Sequence, residues 1–155
     1  MPEPATSRSP CLRLFLEGWE LGPDAPNKTR GQHWAKRARR AKSAKVHVLA
    51  ALASPANRAA RARWTGRSPV EIRATAYLTP RARPLDPDNA TAALKPLLDA
   101  LVFHGVMRDD TSENVSLSPV AFVPARERQP GDVAGVEITV LAALDGGSES
   151  VARGS

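Results

Sequence analysis

The sequence predicts a protein of the α/β (α+β) class, a small mixed β-sheet of about four strands packed with two or three helices. Some segments place apolar residues at every second position, as half-buried strands do, and others space them three or four apart, as amphipathic helices do. The 14 prolines cluster between these segments, where they interrupt regular structure. The 155 residues are enough for one domain with a core. We assign residues 11–144 to this domain and residues 1–10 and 145–155 to flexible tails.

The first half of the chain predicts a strand, one or two helices and a second strand. Residues 11–19 alternate, with leucine at every second position, and predict the first strand. Residues 32–53 have helical spacing and are basic early and apolar late. Ser54 and Pro55 either end that helix or begin a short second one, because serine caps helices and proline suits the first helical position. Residues 70–78 alternate again and predict a strand.

The next helix is predicted over residues 89–103, which carry a leucine-rich stripe. Asp88 or Asn89 suits its N-cap, and Gly105 suits the position after its end. Pro96 lacks an amide hydrogen. Either the helix kinks at this proline, or its regular part begins one residue before it.

The final segments, residues 115–123 and 136–141, predict two strands. We expect them to form a hairpin across the loop of residues 124–134. The element order is then β-α-(α)-β-α-β-β.

Charge is strongly segregated along the chain. Residues 25–70 contain 12 of the 22 basic residues and none of the 16 acidic residues. The remainder therefore carries 10 basic and 16 acidic residues, a net charge of −6 against +12 for the basic block. Such a one-sided field favours a polyanionic partner, above all nucleic acid. A GC-rich genome explains why arginine replaces lysine, but it does not explain the missing acids.

Several classes of protein are excluded or disfavoured. Cys11 is the single cysteine, so an internal disulfide and a cysteine-built zinc site are excluded. The three histidines are scattered without metal-ligand spacing. The chain has no apolar run of about 20 residues and no signal-peptide core. We expect a cytoplasmic protein with no membrane partner.

A carboxylate cluster lies between residues 86 and 110. Asp86 and Asp88 are two positions apart in a segment expected to be extended, so their side chains should leave on the same side. Lys95 and Asp99 lie on the following helix, where an ordinary ion pair is the simplest interpretation. The pair Asp109-Asp110 comes after the helix, where its simplest interpretation is a polar turn. Mg²⁺ prefers a few carboxylates together with waters and phosphate oxygens, so the combination indicates a metal-dependent nuclease.

These motifs resemble the RusA-type crossover-junction (Holliday junction) endodeoxyribonucleases, many of them carried by prophages. The family pattern is Asp-x-Asp-Asn, a lysine, Leu-Asp-Ala-Leu, a glycine and a final Asp-Asp. The matching residues are Asp86-Pro87-Asp88-Asn89, Lys95, Leu98-Asp99-Ala100-Leu101, Gly105 and Asp109-Asp110. The close likeness covers about residues 85–115. Compared with the best-studied form of the family, residues 90–92 look inserted before the lysine.

The resemblance implies a set of roles for these residues. Asp86, Asp88 and Asp110 would bind Mg²⁺, for which Mn²⁺ can substitute, and Lys95 would be essential for cleavage. Apart from the resemblance, we expect Asn89, Asp99 and Asp109 to support these four catalytic residues. The resemblance also implies a homodimer that acts on branched DNA, the four-way junction, inside a bacterial cell. The residues expected to contact DNA phosphates are Lys36, Arg37, Arg39, Arg40, Lys42, Arg81 and Arg83.

Other interpretations of the sequence stay open. A related nuclease could act on another branched or single-stranded DNA. A non-catalytic nucleic-acid-binding protein would need only the basic block, with the aspartates as caps and turns. Trp34 and Trp64 lie in that block, where they either stack on an unpaired base or, as tryptophans more often do, belong to a core or an interface.

Overall fold

The elements of the computed structural model follow the predicted order, with an additional strand and a divided helix. The structure describes residues 11–24, 31, 33–64, 66, 69–129 and 132–142. Both predicted tails lie outside these residues. In chain order the elements are strand β1 (Cys11–Glu17), helices α1 (Trp34–Leu52) and α2 (Pro55–Arg61), strand β2 (Val70–Tyr77), helices α3 (Pro87–Ala93) and α4 (Lys95–Phe103), and strands β3 (Val115–Leu117), β4 (Ala121–Val123) and β5 (Gly135–Ala142).

The strands form one mixed, five-stranded sheet, which confirms the predicted fold class. Strand β5 lies between β1 and β2 and is antiparallel to both. Strands β3 and β4 pair in succession with the other edge of β2, and both run parallel to it.

The predicted hairpin of the last two strands is therefore wrong. β5 pairs with all eight residues of β2, from Val70 opposite Ala142 to Tyr77 opposite Gly135, and β2 separates it from β3 and β4. The segment 115–123 provides only two three-residue strands. Between them lies Pro119, which cannot donate a ladder hydrogen bond.

One face of the sheet forms the core. Alternation in β1 turns Leu12, Leu14 and Leu16 inward, and these side chains are almost completely buried with Ile72 and Ile138. Helices α1 and α4 pack against each other, and α1 also contacts β1. The alternate residues of the same strands are largely exposed or half-buried, as expected for a sheet covered on one side.

Helix α2 is joined to the sheet by one buried polar residue. Ser54 accepts a hydrogen bond from the Asn57 N–H and Pro55 opens the helix, so the prediction of a short second helix is confirmed. The Asn57 amide donates to the carbonyls of Arg13 and Ala51 and accepts from the Arg13 N–H. These partners satisfy an amide that is only 3% exposed, as buried polar groups require.

The helical segment after β2 divides at Leu94. The Leu94 N–H donates to the Thr91 carbonyl and the Leu97 N–H donates to the Leu94 carbonyl, both over three residues. Pro96 then lies in the first turn of α4, where a missing amide hydrogen costs least. Of the two alternatives for Pro96, the one in which the regular helix begins at Lys95 is confirmed.

Candidate functional site

Helix α3 begins earlier than predicted, and Asp86 is its N-cap. The Asp86 carboxylate accepts hydrogen bonds from the backbone N–H of Asn89 at 2.9 Å and from its side-chain amide at 2.7 Å. The assignment of Asp88 or Asn89 as N-cap is wrong, because Pro87 has the fixed φ that suits the first helical position. Asp88 therefore lies in the first helical turn, and the expectation that Asp86 and Asp88 share one face of an extended segment is also wrong.

Both carboxylates lie at the positive end of a helix. Hydrogen bonds from the Asn89 backbone and side chain, and then from the Asp88 N–H, lower the pKa of Asp86 below its ordinary value. Asp88 is exposed in the same turn, where the helix dipole favours negative charge. The start of α3 thus presents two carboxylates to solvent.

Lys95 forms ion pairs with two of the predicted site residues, Asp99 and Asp110. Its ammonium nitrogen lies 2.7 Å from Asp110 Oδ2 and 3.0 Å from Asp99 Oδ1. The hydrogen bond to Asp110, followed by the one to Asp99, raises the pKa of Lys95. The Lys95–Asp99 pair predicted from helical spacing is confirmed, and the loop after α4 brings Asp110 to the same lysine.

Asp109 stabilises the turn that follows the helix. One of its carboxylate oxygens accepts from the Thr111 N–H, the Thr111 hydroxyl and the Asn114 amide at 2.7–3.0 Å. These bonds, the Thr111 hydroxyl first, lower the pKa of Asp109. The polar turn predicted for Asp109-Asp110 is confirmed for Asp109. Thr111 and Asn114 were not singled out in the sequence, although an aspartate often accepts a hydrogen bond from the backbone two residues further on in a turn.

The predicted metal ligands have suitable chemistry but are not assembled into one cluster. Three carboxylates form the donor set that Mg²⁺ prefers, and a carboxylate keeps free lone pairs after two or three hydrogen bonds. However, Asp86 contacts Asn89 whereas Asp110 contacts Lys95. Across the part of the chain that the structure describes, no three His, Cys, Asp or Glu side chains are arranged to hold a metal ion. The ligand set stays a prediction.

The basic residues predicted to contact DNA lie mainly on the first half of α1. Its first buried residue is Ala44, so the first two turns extend past the core. The exposed basic side chains are Lys36, Arg37, Arg39 and Lys42 on α1, and Arg81 and Arg83 on the connector before α3.

Arg40 has a structural contact that the sequence did not indicate. Its guanidinium lies 3.5 Å from the centroid of the Trp19 ring and donates to the Glu20 carbonyl. The segment of residues 19–24 is therefore held against the first half of α1. Its Gly22–Asp24 turn contacts α3. One short segment thus connects the basic half of α1 with the helix that Asp86 caps.

The two tryptophans of the basic block differ. Trp64 is half-buried against the core, and its indole N–H donates to the Val106 carbonyl at 2.6 Å, which agrees with the core or interface interpretation. Trp34 is 69% exposed, so it does not belong to the core, and for this residue stacking on a base or a place in an interface stays a prediction.

Comparisons with known proteins add no identification. No protein-family model matches the chain, and no curated protein is found to match its sequence. None of the helices among the described residues combines the length and apolar character needed to cross a bilayer.

Proposed function

We propose that the protein is a Mg²⁺-dependent, structure-selective endodeoxyribonuclease that resolves four-way DNA junctions by paired nicks in the bacterial cytoplasm. The observation that carries the proposal is the connection through residues 19–24. It joins the cation-rich half of α1 to the helix that presents Asp86 and Asp88. A polyanion bound along α1 would extend toward the carboxylates that bind the metal.

In this proposal Asp86, Asp88 and Asp110 hold the metal. Mg²⁺ bound there would polarise the scissile phosphate and lower the pKa of an attacking water. Mn²⁺ also accepts carboxylate oxygens and is expected to substitute. The Asp86 cap orients its carboxylate through Asn89, and Asp109 holds the turn that carries Asp110.

Lys95 supplies the positive charge. A lysine ammonium is charged at neutral pH, the hydrogen bonds to Asp110 and Asp99 raise the pKa of Lys95 further, and its Nζ is shared between Asp99 and Asp110. If Asp110 bound a metal ion, Asp99 would still hold the lysine. The ammonium can then neutralise charge that develops on the phosphate in the transition state.

The charge of α1 supports a binding role over a structural one. No acidic residue lies in its first turn, and Lys36 and Arg37 lie near its positive end. Cations at the N-terminus of a helix oppose the helix dipole and cost a few tenths of a kcal/mol each. These basic residues lower the stability of the helix that carries them. Their presence is explained if they bind a polyanionic ligand.

The test is the substitution Asp88→Asn, assayed on a four-way junction, a flap, a duplex and a single strand. We expect cleavage of the junction by the wild type in Mg²⁺, none in EDTA and none by the variant. Junction binding in Ca²⁺ should persist or tighten, because asparagine removes a charge that repels phosphate. Glu127→Gln is the matched control, since it removes an exposed carboxylate outside α3 and α4.

Each outcome distinguishes between the functions considered. Near wild-type cleavage by Asp88→Asn would reject the proposed site. Junction binding by the wild type without Mg²⁺-dependent cleavage would favour the non-catalytic nucleic-acid-binding protein. Cleavage of the flap or single strand in preference to the junction would favour the related nuclease.

A further inference from the structure

Trp34 differs from the other tryptophans in its surroundings. Trp19 is 3% exposed and lies beneath Arg40, and Trp64 is anchored through its indole N–H. Trp34 leaves 69% of its surface in solvent. A large aromatic side chain in this position forgoes most of its hydrophobic stabilisation, and its exposed ring is available to a ligand.

The cap of α1 orients this exposed ring. His33 is the N-cap, and its Nδ1 accepts from the Ala35 N–H at 3.1 Å. That bond fixes the imidazole, whose centroid lies 5.5 Å from the Trp34 ring at an interplanar angle of 32°. Trp34 is therefore supported on one side by a ring that the backbone holds in place.

The neighbouring charges indicate the class of ligand. Lys36, Arg37 and Arg39 follow Trp34 and are exposed, and residues 25–70 contain no acidic side chain. A ligand with an aromatic face on a polyanionic chain suits this combination, as an unpaired base of a DNA strand does. An anionic membrane fits less well, because the first two turns of α1 otherwise contain alanine and cations. The other large exposed apolar residues of the helix, Val46 and Leu49, lie about three and four turns later.

We propose that Trp34, supported by His33, is a stacking platform for an unpaired base, with Lys36 and Arg37 at the adjoining phosphates. The inference rests on the proposed function and names its substrate class. The protein prefers DNA whose bases are unstacked, as at a branch point, over continuous duplex. Stacking supplies this preference, whereas the cations supply affinity for any DNA.

The experiment measures DNA binding in EDTA, where no metal-dependent cleavage occurs. The probes are a thymidine-rich single strand, a four-way junction and a blunt duplex of equal phosphate count. Trp34→Ala should weaken binding of the single strand and the junction by roughly tenfold and change duplex binding less than about twofold. Because no cation is removed, the slope of log affinity against log salt should stay unchanged. Val133→Ala, which removes an exposed apolar side chain outside α1, should leave all three affinities unchanged.

Intrinsic fluorescence gives a second readout. The single strand should quench the emission of the wild type but not that of Trp34→Phe, in which Trp19 and Trp64 remain as internal references. An equal loss of affinity on all three probes, or equal quenching of wild type and Trp34→Phe, would overturn the platform. Binding to anionic phosphatidylserine vesicles that requires Trp34 would overturn it in favour of a membrane.

The platform and the proposed function fail in different ways. If Trp34→Ala binds the junction like the wild type and Mg²⁺-dependent cleavage persists, the platform is wrong and the nuclease stands. If the wild type binds none of the DNA probes, the proposed function itself is wrong.

Discussion

Asp86 combines two roles at the residue scale, because the carboxylate proposed to bind metal also caps α3. Its carboxylate accepts hydrogen bonds from the backbone N–H and the side-chain amide of Asn89. We expect Asp86→Ala to lower the free energy of unfolding and Asp86→Asn to retain most of it, since asparagine is also a good N-cap. Urea unfolding measures both variants. Equal losses for the two would show that charge, and not the cap, stabilises the helix.

The same residue makes stability depend on pH. Hydrogen bonds lower the pKa of Asp86 and of Asp109 in the folded state, so the unfolded chain binds protons first as the pH falls. Their contribution is present above about pH 4, the ordinary range of a carboxyl, and is lost as the pH falls through the lower folded pKa values. The double variant Asp86→Asn, Asp109→Asn should lose less stability than the wild type between pH 6 and pH 3. A parallel decline in both proteins would contradict this assignment.

Lys95 donates a hydrogen bond to an Asp110 oxygen that the proposed metal ion would use. The pair with Asp110 is largely exposed, and such pairs contribute little to stability. We expect Lys95→Met to fold normally, to bind Ca²⁺ or Mn²⁺ roughly two- to fivefold more tightly and to lose junction cleavage. Calorimetric titration of the metal measures affinity independently of activity. Arg73→Met, which breaks the exposed pair with Glu71, is the control, and unchanged metal affinity in Lys95→Met would remove Asp110 from the ligand set.

At the element scale, α1 separates the half that stabilises the fold from the half proposed to bind DNA. The late part buries Ala44, Val48 and Leu52, whereas the early part carries exposed cations. Replacing Lys36, Arg37 and Arg39 together by alanine should weaken DNA binding. It should also reduce the slope of log affinity against log salt by about 2 to 3, because fewer counterions are released. Arg40 is left in place because its replacement would also remove the contact with Trp19, and a loss of folding could then be mistaken for a loss of binding.

The control for this variant removes the same charge elsewhere. Arg13, Arg73 and Arg126 are exposed and lie outside α1, so their joint replacement by alanine should leave the salt slope almost unchanged. Equal effects of the two triple variants would mean that net charge, and not α1, governs binding. A slope unaffected by the α1 variant would place the DNA surface elsewhere.

The sequence predicted the elements better than it predicted their ends. Alternation located β1 and β2 within about two residues, because one face of each strand is buried. The start of α3 was misjudged because residues 86–88 were expected to be extended, whereas Pro87 begins the helix. The division at Leu94 needed the structure, since a proline in a helical pattern permits either a kink or a new first turn.

At the scale of the whole molecule, long-range pairing was the least predictable feature. Nothing local in residues 115–123 distinguishes a hairpin with β5 from parallel pairing with β2, because strand order depends on which long strands pair along their full length. The connection of α1 and α3 through residues 19–24 is equally non-local, since it depends on an Arg40–Trp19 contact across the fold. By contrast, the ion pair of Lys95 with Asp99 could be predicted, because the two residues are four positions apart on one helix.

Exposed apolar residues offer two candidate surfaces for the proposed dimer. The first is the late part of α1, where Val46 and Leu49 are 59% and 56% exposed, whereas Leu52 is only 5% exposed and belongs to the core. Phe103, at the end of α4, is also exposed and lies next to Lys45. The second candidate surface is the open face of the sheet, which includes Phe15.

The final prediction is a two-fold symmetric dimer that cuts two opposing strands. A four-way junction yields ligatable duplexes only when it is cut on two strands, and two sites related by a dyad suit that geometry. Sedimentation should give twice the 16.6 kDa chain mass, and strand-specific labels should show symmetric incisions. Val46→Glu with Leu49→Glu should produce monomers if α1 forms the interface, and Phe15→Glu should do so if the sheet does. A wild-type monomer that nicks a single strand would reject the resolvase while leaving a Mg²⁺-dependent nuclease, because one site suffices for one incision.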